Sequence, residues 1–394
     1  MKNEELRQRW TVKPLGKAAE VTMGSSPPGE SYNDEGKGVP LINGPVEFSE
    51  GDFGLTVLGK FTTEPTRMCR TGDLLLCVRG STTGRTNIAG FDACIGRGVA
   101  SIRAKEDQRF LNHFIRTQQQ RLFDLGNGST FLSITQEQLV SVQVTLPPLP
   151  EQRRIAAILD KADTIRRKRE EGIRLTEELL RSTFLEMFGD PVRNPKSWPI
   201  VLLEQISSDM TYGTSTKCGN KERESLPVLR IPNIIHGRIN WNDLKYASLD
   251  QKEVTQLLLK PSDLLFVRTN GNPEYIGRCA MFTEVRKALF ASYLIRVQLR
   301  PDAPYRPEFL RYVATMPSYR SLLVAEARTT AGNYNISTQG LRRLKLIAPP
   351  LPQQETFLNF AANCCENRER RKAAFTESDA LFDSLVQRAF RGEL

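Results

Sequence analysis

The chain has 394 residues, 39% of them hydrophobic and 25% charged, a content that excludes a disordered or fibrous polypeptide and allows two ordinary domains. Its 55 Lys and Arg against 45 Asp and Glu give a formal charge of +10 and a pI near 9.3, which points to a polyanion partner more than to an acidic small substrate. Residues 1–30 hold no apolar signal region, and no stretch approaches the eighteen or so apolar residues that span a bilayer, so a soluble, cytoplasmic protein without a membrane partner is expected.

The seven cysteines (Cys69, Cys77, Cys94, Cys218, Cys279, Cys364, Cys365) are odd in number and form no C-x-x-C pair, which fits reduced thiols better than a zinc site or a disulfide framework.

Residues 1–146 alternate short apolar runs with Gly, Pro, Asn and Ser breaks, the pattern of a mixed α and β domain with much loop. Gly24-Ser25-Ser26-Pro27 is an early polar turn. Leu74 to Val78 reads as a buried strand opened by Asp73. The loop after it, Arg79-Gly80-Ser81-Thr82-Thr83-Gly84-Arg85-Thr86-Asn87, collects donors and glycines at a strand end. Arg can bridge guanine bidentately, Asn can do the same to adenine, Ser and Thr can hold phosphates, and Gly lets the backbone approach. A hydrophilic turn has a similar composition.

Pro147-Pro148-Leu149-Pro150-Glu151-Gln152 then opens a first spacer segment, residues 147–191. Glu151 to Phe188 is expected as one helix, introduced by prolines suited to a first turn and closed by Gly189 and Pro191, about 57 Å long at 1.5 Å per residue. A stripe runs Ile155, Leu159, Ala162, Arg166, Arg169, Ile173, Thr176, Leu180, Thr183, Met187.

Residues 192–348 repeat the character of the first domain. Gly213-Thr214-Ser215-Thr216 answers the early turn, and Leu264 to Val267, opened by Asp263, answers the strand. Arg268-Thr269-Asn270-Gly271-Asn272, with Gly277-Arg278 beyond, answers the loop. Recurrence at matching places strengthens both loops as a pair.

Pro349-Pro350-Leu351-Pro352-Gln353-Gln354 follows at an offset of 202 residues and opens a second spacer helix within 349–394. Its stripe, in the same register, is Phe357, Ala361, Cys364, Arg368, Arg371, Phe375, Ser378, Phe382, Leu385, Ala389. A period near 200 is far longer than repeat-array units of about 20 to 50 residues, so this is a duplicated domain pair. A 3.5-residue seam lets two helices pack knobs into holes. The helices are therefore expected to form one antiparallel intramolecular coiled coil in an α+β fold, two mixed α/β domains related by an internal pseudo-two-fold duplication. Ile155, Leu159, Ile173, Leu180, Phe357, Phe375, Phe382 and Leu385 are the candidate partner-binding positions. The mid-helix arginines can face DNA, an acidic partner or solvent.

The chemistry of an enzyme is missing. His113 and His236 occupy non-corresponding positions, which argues against a Ser-His-Asp or Cys-His engine, and the sequence contains no ATP-binding G-x-x-x-x-G-K-[ST] loop and no amino-methyltransferase motif. Asp263 with Glu284-Val285-Arg286-Lys287 is a poor match to a metal nuclease, because Arg stands where Lys is wanted. No catalytic residue and no metal site is expected.

With its duplicated P-P-L-P-[EQ]-Q helix starts, its Gly-Asp-Leu-Leu-Leu and Ser-Asp-Leu-Leu-Phe strand openings, and the ending Leu381-Phe382-Asp383-Ser384-Leu385 to Gly392-Glu393-Leu394, the chain resembles the specificity subunits of type I restriction-modification enzymes over nearly its whole length. The resemblance implies two target recognition domains, 1–146 and 192–348, each reading one half of an asymmetric bipartite site on double-stranded DNA. The helices would set the spacer and dock two modification (methyltransferase) subunits, and ATP-dependent restriction subunits would join. S-adenosylmethionine, ATP and Mg belong to those partners, with no cofactor in this chain. The family's contacts map to Arg79, Ser81, Thr82, Thr83, Arg85, Thr86 and Asn87, to Arg268, Thr269, Asn270, Asn272 and Arg278, and more weakly to Ser25, Ser26, Thr214 and Ser215. The rival reading is a coiled-coil scaffold that binds only proteins.

Overall fold

The computed structural model describes residues 10–51, 53–126, 133–221, 225–235, 237–284, 286–330 and 332–394; His236 and Val285 lie outside them. The chain forms two compact units, Met1–Glu171 with Arg371–Leu394, and Gly172–Arg370.

The first unit contains strands β1 (Thr11–Pro14), β2 (Ala19–Met23), β3 (Leu74–Cys77), β4 (Thr86–Ile88) and β5 (Val99–Ala104), helix α1 (Gln108–Thr117), strand β6 (Gln143–Leu146) and the start of helix α2 (Leu149–Phe188). An antiparallel sheet runs β2-β5-β3-β4, and β1 pairs with β6. A second sheet has Val39–Ile42 and Ala93–Ile95 parallel at its heart.

The second unit repeats this plan. Strands β7 (Ile200–Leu202), β8 (Ser207–Tyr212), β9 (Leu264–Val267), β10 (Cys279–Met281) and β11 (Leu294–Leu299) precede helix α3 (Pro307–Thr315), strand β12 (Lys345–Ile347) and helix α4 (Leu351–Phe390). The antiparallel order is β8-β11-β9-β10, β7 pairs with β12, and Leu226–Leu229 runs parallel to Leu289–Phe290 in a second sheet. One topology built twice is the structural form of the sequence repeat.

The wholly apolar strands β3 and β9 follow from having both faces covered. Alternate residues of a strand face opposite ways. Leu74 and Leu76 join the core against α1 and the long helices, whereas Leu75 and Cys77 join the one against the second sheet. In β9 the same division puts Leu264 and Phe266 on one side and Leu265 and Val267 on the other. A strand buried on both faces reads as a continuous apolar run.

Each strand is preceded by a buried aspartate, and the two differ chemically. Asp73 accepts from Arg103 Nε and Nη2 at 2.7 Å each and from Ser101 at 2.7 Å. Burial pushes its carboxyl up, but these bonds and the Arg70 N–H bring it below the ordinary value. Among the described residues the Asp263 carboxylate accepts from Gln298 Nε2 at 2.7 Å and from the Lys260 N–H at 2.9 Å, too little to offset burial, which holds its carboxyl above the ordinary value.

The duplicated proline motif owes its last residue to a buried bond. Gln152 and Gln354 are both fully buried. Gln152 Nε2 donates to the Pro147 carbonyl at 2.8 Å and Gln354 Nε2 to the Pro349 carbonyl at 2.7 Å. The Gln354 Oε1 also accepts the Arg306 N–H at 3.0 Å, just ahead of α3. Each glutamine thus fastens the start of a long helix to its own domain. At the far end of α2, Gly189 takes φ +75°, a left-handed helix stop that glycine adopts without penalty.

Within the first unit the paired helix segments run antiparallel, because Arg154 Nη2 donates to the Leu394 carbonyl at 2.7 Å while Arg166 Nη1 meets Asp379 at 3.6 Å. In the second unit the Phe184 and Phe357 rings lie 5.3 Å apart and Arg368 Nη1 meets Glu177 at 3.2 Å, again antiparallel. The expected seam departs from its register near the end of α2. There Phe184 and Phe188, rather than Thr183 and Met187, are fully buried, because their rings pack on Phe309 and Phe357. Aromatic packing outweighs a regular heptad at that point.

The candidate partner-binding positions require correction. Ile155, Leu159, Phe357 and Phe382 are buried inside their own units, and Ile173, Leu180, Phe375 and Leu385 are half-buried. Side chains that fill an internal seam cannot offer their area to another protein. The apolar side chains exposed on the long helices are instead Ile165, Leu175, Leu179, Leu185 and Leu381. The mid-helix arginines form local pairs: Arg166 holds Asp163 at 3.0 Å, and Arg169 donates to the Ala374 carbonyl.

Candidate nucleic-acid interface

In the first unit the loop after β3 begins with a single 3-10 turn, Gly80–Thr82, closed by Thr83 Oγ1 donating to the Gly80 carbonyl at 2.7 Å. Arg79 and Ser81 are exposed and Thr82 half-buried. Ser81 and Thr82, with Arg85, Gln120 and Phe123, edge a shallow concavity of about 410 Å³.

The rest of the loop turns inward. Arg85 Nη2 donates to the Ser49 carbonyl at 3.2 Å and the guanidinium lies 5.9 Å from the Phe48 ring centroid. Asn87, fully buried, donates to the carbonyls of Ser49 and Gly51 at 3.2 and 3.3 Å. Thr83 and Thr86 are buried as well. Arg85 and Asn87 therefore pin the 48–51 turn, and the donors of this loop that reach solvent are Arg79 and Ser81 and, in part, Thr82 and Arg85.

In the second unit Thr269 and Asn270 form a short strand paired with Asn333–Asn335, which in turn pairs with Arg328–Thr330. Arg268 stacks over the Tyr212 ring at 4.6 Å, and its Nε is buried without a partner among the described residues. Tyr212 OH accepts the Thr338 N–H at 3.0 Å. Burial raises the phenol, but the Thr338 bonds and the Arg268 charge bring it below its ordinary value. Asn270 and Asn272 spend their side-chain oxygens on the N–H groups of Asn272 and Glu274 at 2.8 and 2.9 Å, leaving their amide donors for a ligand. Arg278 lies over Tyr275 at 3.9 Å, lining a separate pocket with Arg311 and Arg320.

The strand pair of Arg328–Thr330 with Asn333–Asn335 carries Arg328, Asn333, Tyr334 and Asn335 beside the Arg268 loop, and sequence reading passed over it. Its signal was present: Ile134 and Ile336 stand 202 apart, and each donates its N–H back to the strand-end loop, to Val78 and Arg268. The first unit's counterpart, 127–132, lies outside the described residues.

The early turns have a different origin. A Cβ on Gly24 would lie 2.2 Å from the Gly96 carbonyl oxygen, and one on Gly213 2.1 Å from that of Phe290. These glycines let two backbones cross. Ser25, Ser26 and Ser215 are exposed, whereas Thr214 is buried and bonds its own turn at Thr216. His113 is buried, its Nε2 2.8 Å from Asp160, and among the described residues no cluster could hold a metal ion.

Comparison with known proteins gives this duplicated plan relatives. Residues 7–175 match the model of the type I restriction modification DNA specificity domain. The chain is 36% identical over 189 residues to the putative type I restriction enzyme MjaX specificity subunit of Methanocaldococcus jannaschii, covering 46% of this chain and 44% of that one. It is 26% identical over 307 residues to the type I restriction enzyme EcoKI specificity subunit of Escherichia coli, covering 72% and 65%. The chain is thus similar to type I restriction-modification specificity subunits, the domain match falling on its first 175 residues. Its matches span less than two thirds of those two relatives. In solved structures the S subunit from M. genitalium shares the fold at a TM-score of 0.60 with 15% identity, over 96% of both chains. A chain of a type I R-M system studied for complex assembly and conformational transition gives 0.56 at 17%, over 98% of both. Among the described residues no helix is long and apolar enough to cross a membrane.

Proposed function

We propose that the chain is the DNA-reading, non-catalytic subunit of a type I restriction-modification complex, each unit reading one half of a bipartite site. What carries the reading is the recurrence, in two units of one topology, of a donor-bearing loop at the same strand end: Arg79, Ser81 and Thr82 after β3, and Arg268, Asn270 and Asn272 after β9, with Val78 and Arg268 at equivalent places. Direct readout needs donors at a fixed position on a rigid element. The buried strands supply the rigidity. Exposed Arg79 and Ser81 with half-buried Thr82, and Arg268, Asn270 and Asn272 with the paired strands Arg328–Thr330 and Asn333–Asn335, supply the donors. Different donors on one scaffold fit an asymmetric site.

The long helices link the two readers, and modification subunits dock on apolar side chains exposed along them, Ile165 and Leu381 in the first unit and Leu175 and Leu179 in the second. S-adenosylmethionine, ATP and Mg then act on the partner subunits. A purely protein-binding scaffold has no use for matched donor loops on both units.

Selection of DNA from a random library by the chain with its modification partners tests the proposal. A two-part consensus with an unspecified gap supports it, and binding with no sequence preference overturns it. Phosphate contacts make that binding fall steeply with salt, with a log-log slope of about −0.9 per contact.

A further inference from the structure

The second unit carries a cationic pocket that the DNA-reading loops leave unexplained. It encloses about 410 Å³ and is lined by six arginines, among them Arg278, Arg311 and Arg320, against one acid, Glu177. Glu177 is already engaged by Arg368 at 3.2 Å, and Arg238 meets Glu369 at 2.7 Å. No carboxylate pairs with Arg278, Arg311 or Arg320 among the described residues. Arg311 Nε and Arg320 Nη1 are buried without a hydrogen-bond partner among the described residues. Both arginines act on the same buried thiol, Cys279. Burial and the neighbouring Arg278 charge hold Arg320 below its ordinary value. The fold leaves room for the cluster: Gly237, at φ +78°, lies where a Cβ would be 3.0 Å from Arg311 Nη1.

The duplication shows what such a cluster needs. In the first unit three arginines close on one buried carboxylate. Asp163 meets Arg167 at 2.8 Å, Arg166 at 3.0 Å and Arg116 at 3.9 Å. An offset of 202 carries Asp163 to Cys365 and Arg166 to Arg368. One arginine is kept, Glu369 stands in place of Arg167 and pairs with Arg238, and the carboxylate at the position of Asp163 is gone. Cys365 compensates in part, for although burial raises its thiol, Tyr312, Arg238 and Arg368 bring it below the ordinary value. Buried cations without a counter-charge are costly, and guanidinium forks match phosphate oxygens.

We propose that this pocket binds a phosphate oxyanion, whose oxygens take the place that the Asp163 carboxylate fills in the first unit. The volume admits a di- or triphosphate compound, within the range of small-molecule sites.

The test is calorimetric titration of the full chain with pyrophosphate and with ATP, followed by competition with a short duplex DNA. One saturable site per chain is expected. Arg311→Gln and Arg320→Gln each weaken it by about tenfold or more. Cys365→Asp abolishes binding and raises the melting temperature in phosphate-free buffer, because it supplies the missing carboxylate in place. Cys365→Ser retains binding. Displacement by duplex assigns the site to DNA backbone phosphate, and indifference to duplex assigns it to a free phosphorylated compound. Both support the proposed chemistry. Absence of saturable binding at millimolar ligand overturns the proposal, as does unchanged binding in folded Cys365→Asp. Neither result depends on whether the chain reads DNA sequence.

Discussion

Replacing Gln354 by leucine tests why the proline motif occurs twice. The side chain is fully buried and makes three bonds to backbone: it accepts from Arg306 N–H at 3.0 Å and donates to the Pro304 and Pro349 carbonyls at 3.1 and 2.7 Å. Leucine is close in volume, so no large cavity forms, but three backbone groups lose their partner in a site closed to water. At a net ~1 kcal/mol for each neutral bond, the loss is about 3 kcal/mol. Gln152→Leu costs a similar amount, about 3 kcal/mol, because its bond from the Asp107 N–H is long at 3.5 Å but its Nε2 donates to the Glu106 carboxylate as well as to the Pro147 carbonyl. Gln353, its exposed neighbour, serves as the control, with Gln353→Leu staying within about 0.5 kcal/mol of the parent. Urea unfolding followed by far-ultraviolet circular dichroism reads all three. If Gln354→Leu is no less stable than Gln353→Leu, the glutamine is not the fastening and the motif needs another explanation.

Other expectations follow from the same contacts. Asp73→Asn removes a carboxylate bound by Arg103 and destabilises the chain by about 1.5 to 3 kcal/mol at neutral pH; since the folded carboxyl sits below 3.8, this contribution is present above that pH and lost as pH falls through the folded value. Asp263 has the opposite sign: its folded carboxyl is raised above 3.8, stability falls as pH rises from there through the folded value, and Asp263→Asn leaves neutral-pH stability unchanged or higher. Acid titrations of both variants separate the two cases. Gly24→Ala and Gly213→Ala force a methyl within 2.2 and 2.1 Å of backbone oxygens, so both lower the melting temperature, whereas Ser25→Ala and Ser215→Ala, on exposed neighbours, do not.

The duplication and the helices were legible in the sequence because they rest on local rules. Prolines opened each helix, Gly189 closed the first, and apolar runs marked β3 and β9. The donor loops were legible only in outline. Arg85 and Asn87 have the same composition as a base-reading pair, yet they hold the 48–51 turn. That assignment depends on which carbonyls the fold brings near, and sequence spacing carries no such information. The glycines of the early turns were visible, but their cause, a backbone crossing, was not. The strand pair of Arg328–Thr330 with Asn333–Asn335 was missed because Asn and Tyr there read as an ordinary loop until pairing with Thr269 and Asn270 places them. Phe184 and Phe188 displace Thr183 and Met187 from the predicted seam because ring packing, a tertiary term, outweighs a heptad.

The claim that each unit reads its own half of a bipartite site is tested most directly by mapping methylated positions in DNA modified by the assembled complex, with the parent chain and with Arg79→Ala and Arg268→Ala. A bipartite motif is expected for the parent. Each variant should relax one half only, a different half for each, at about 1 to 3 kcal/mol of lost discrimination per base contact. Loss of both halves in one variant, or a motif unchanged in both variants, contradicts the account.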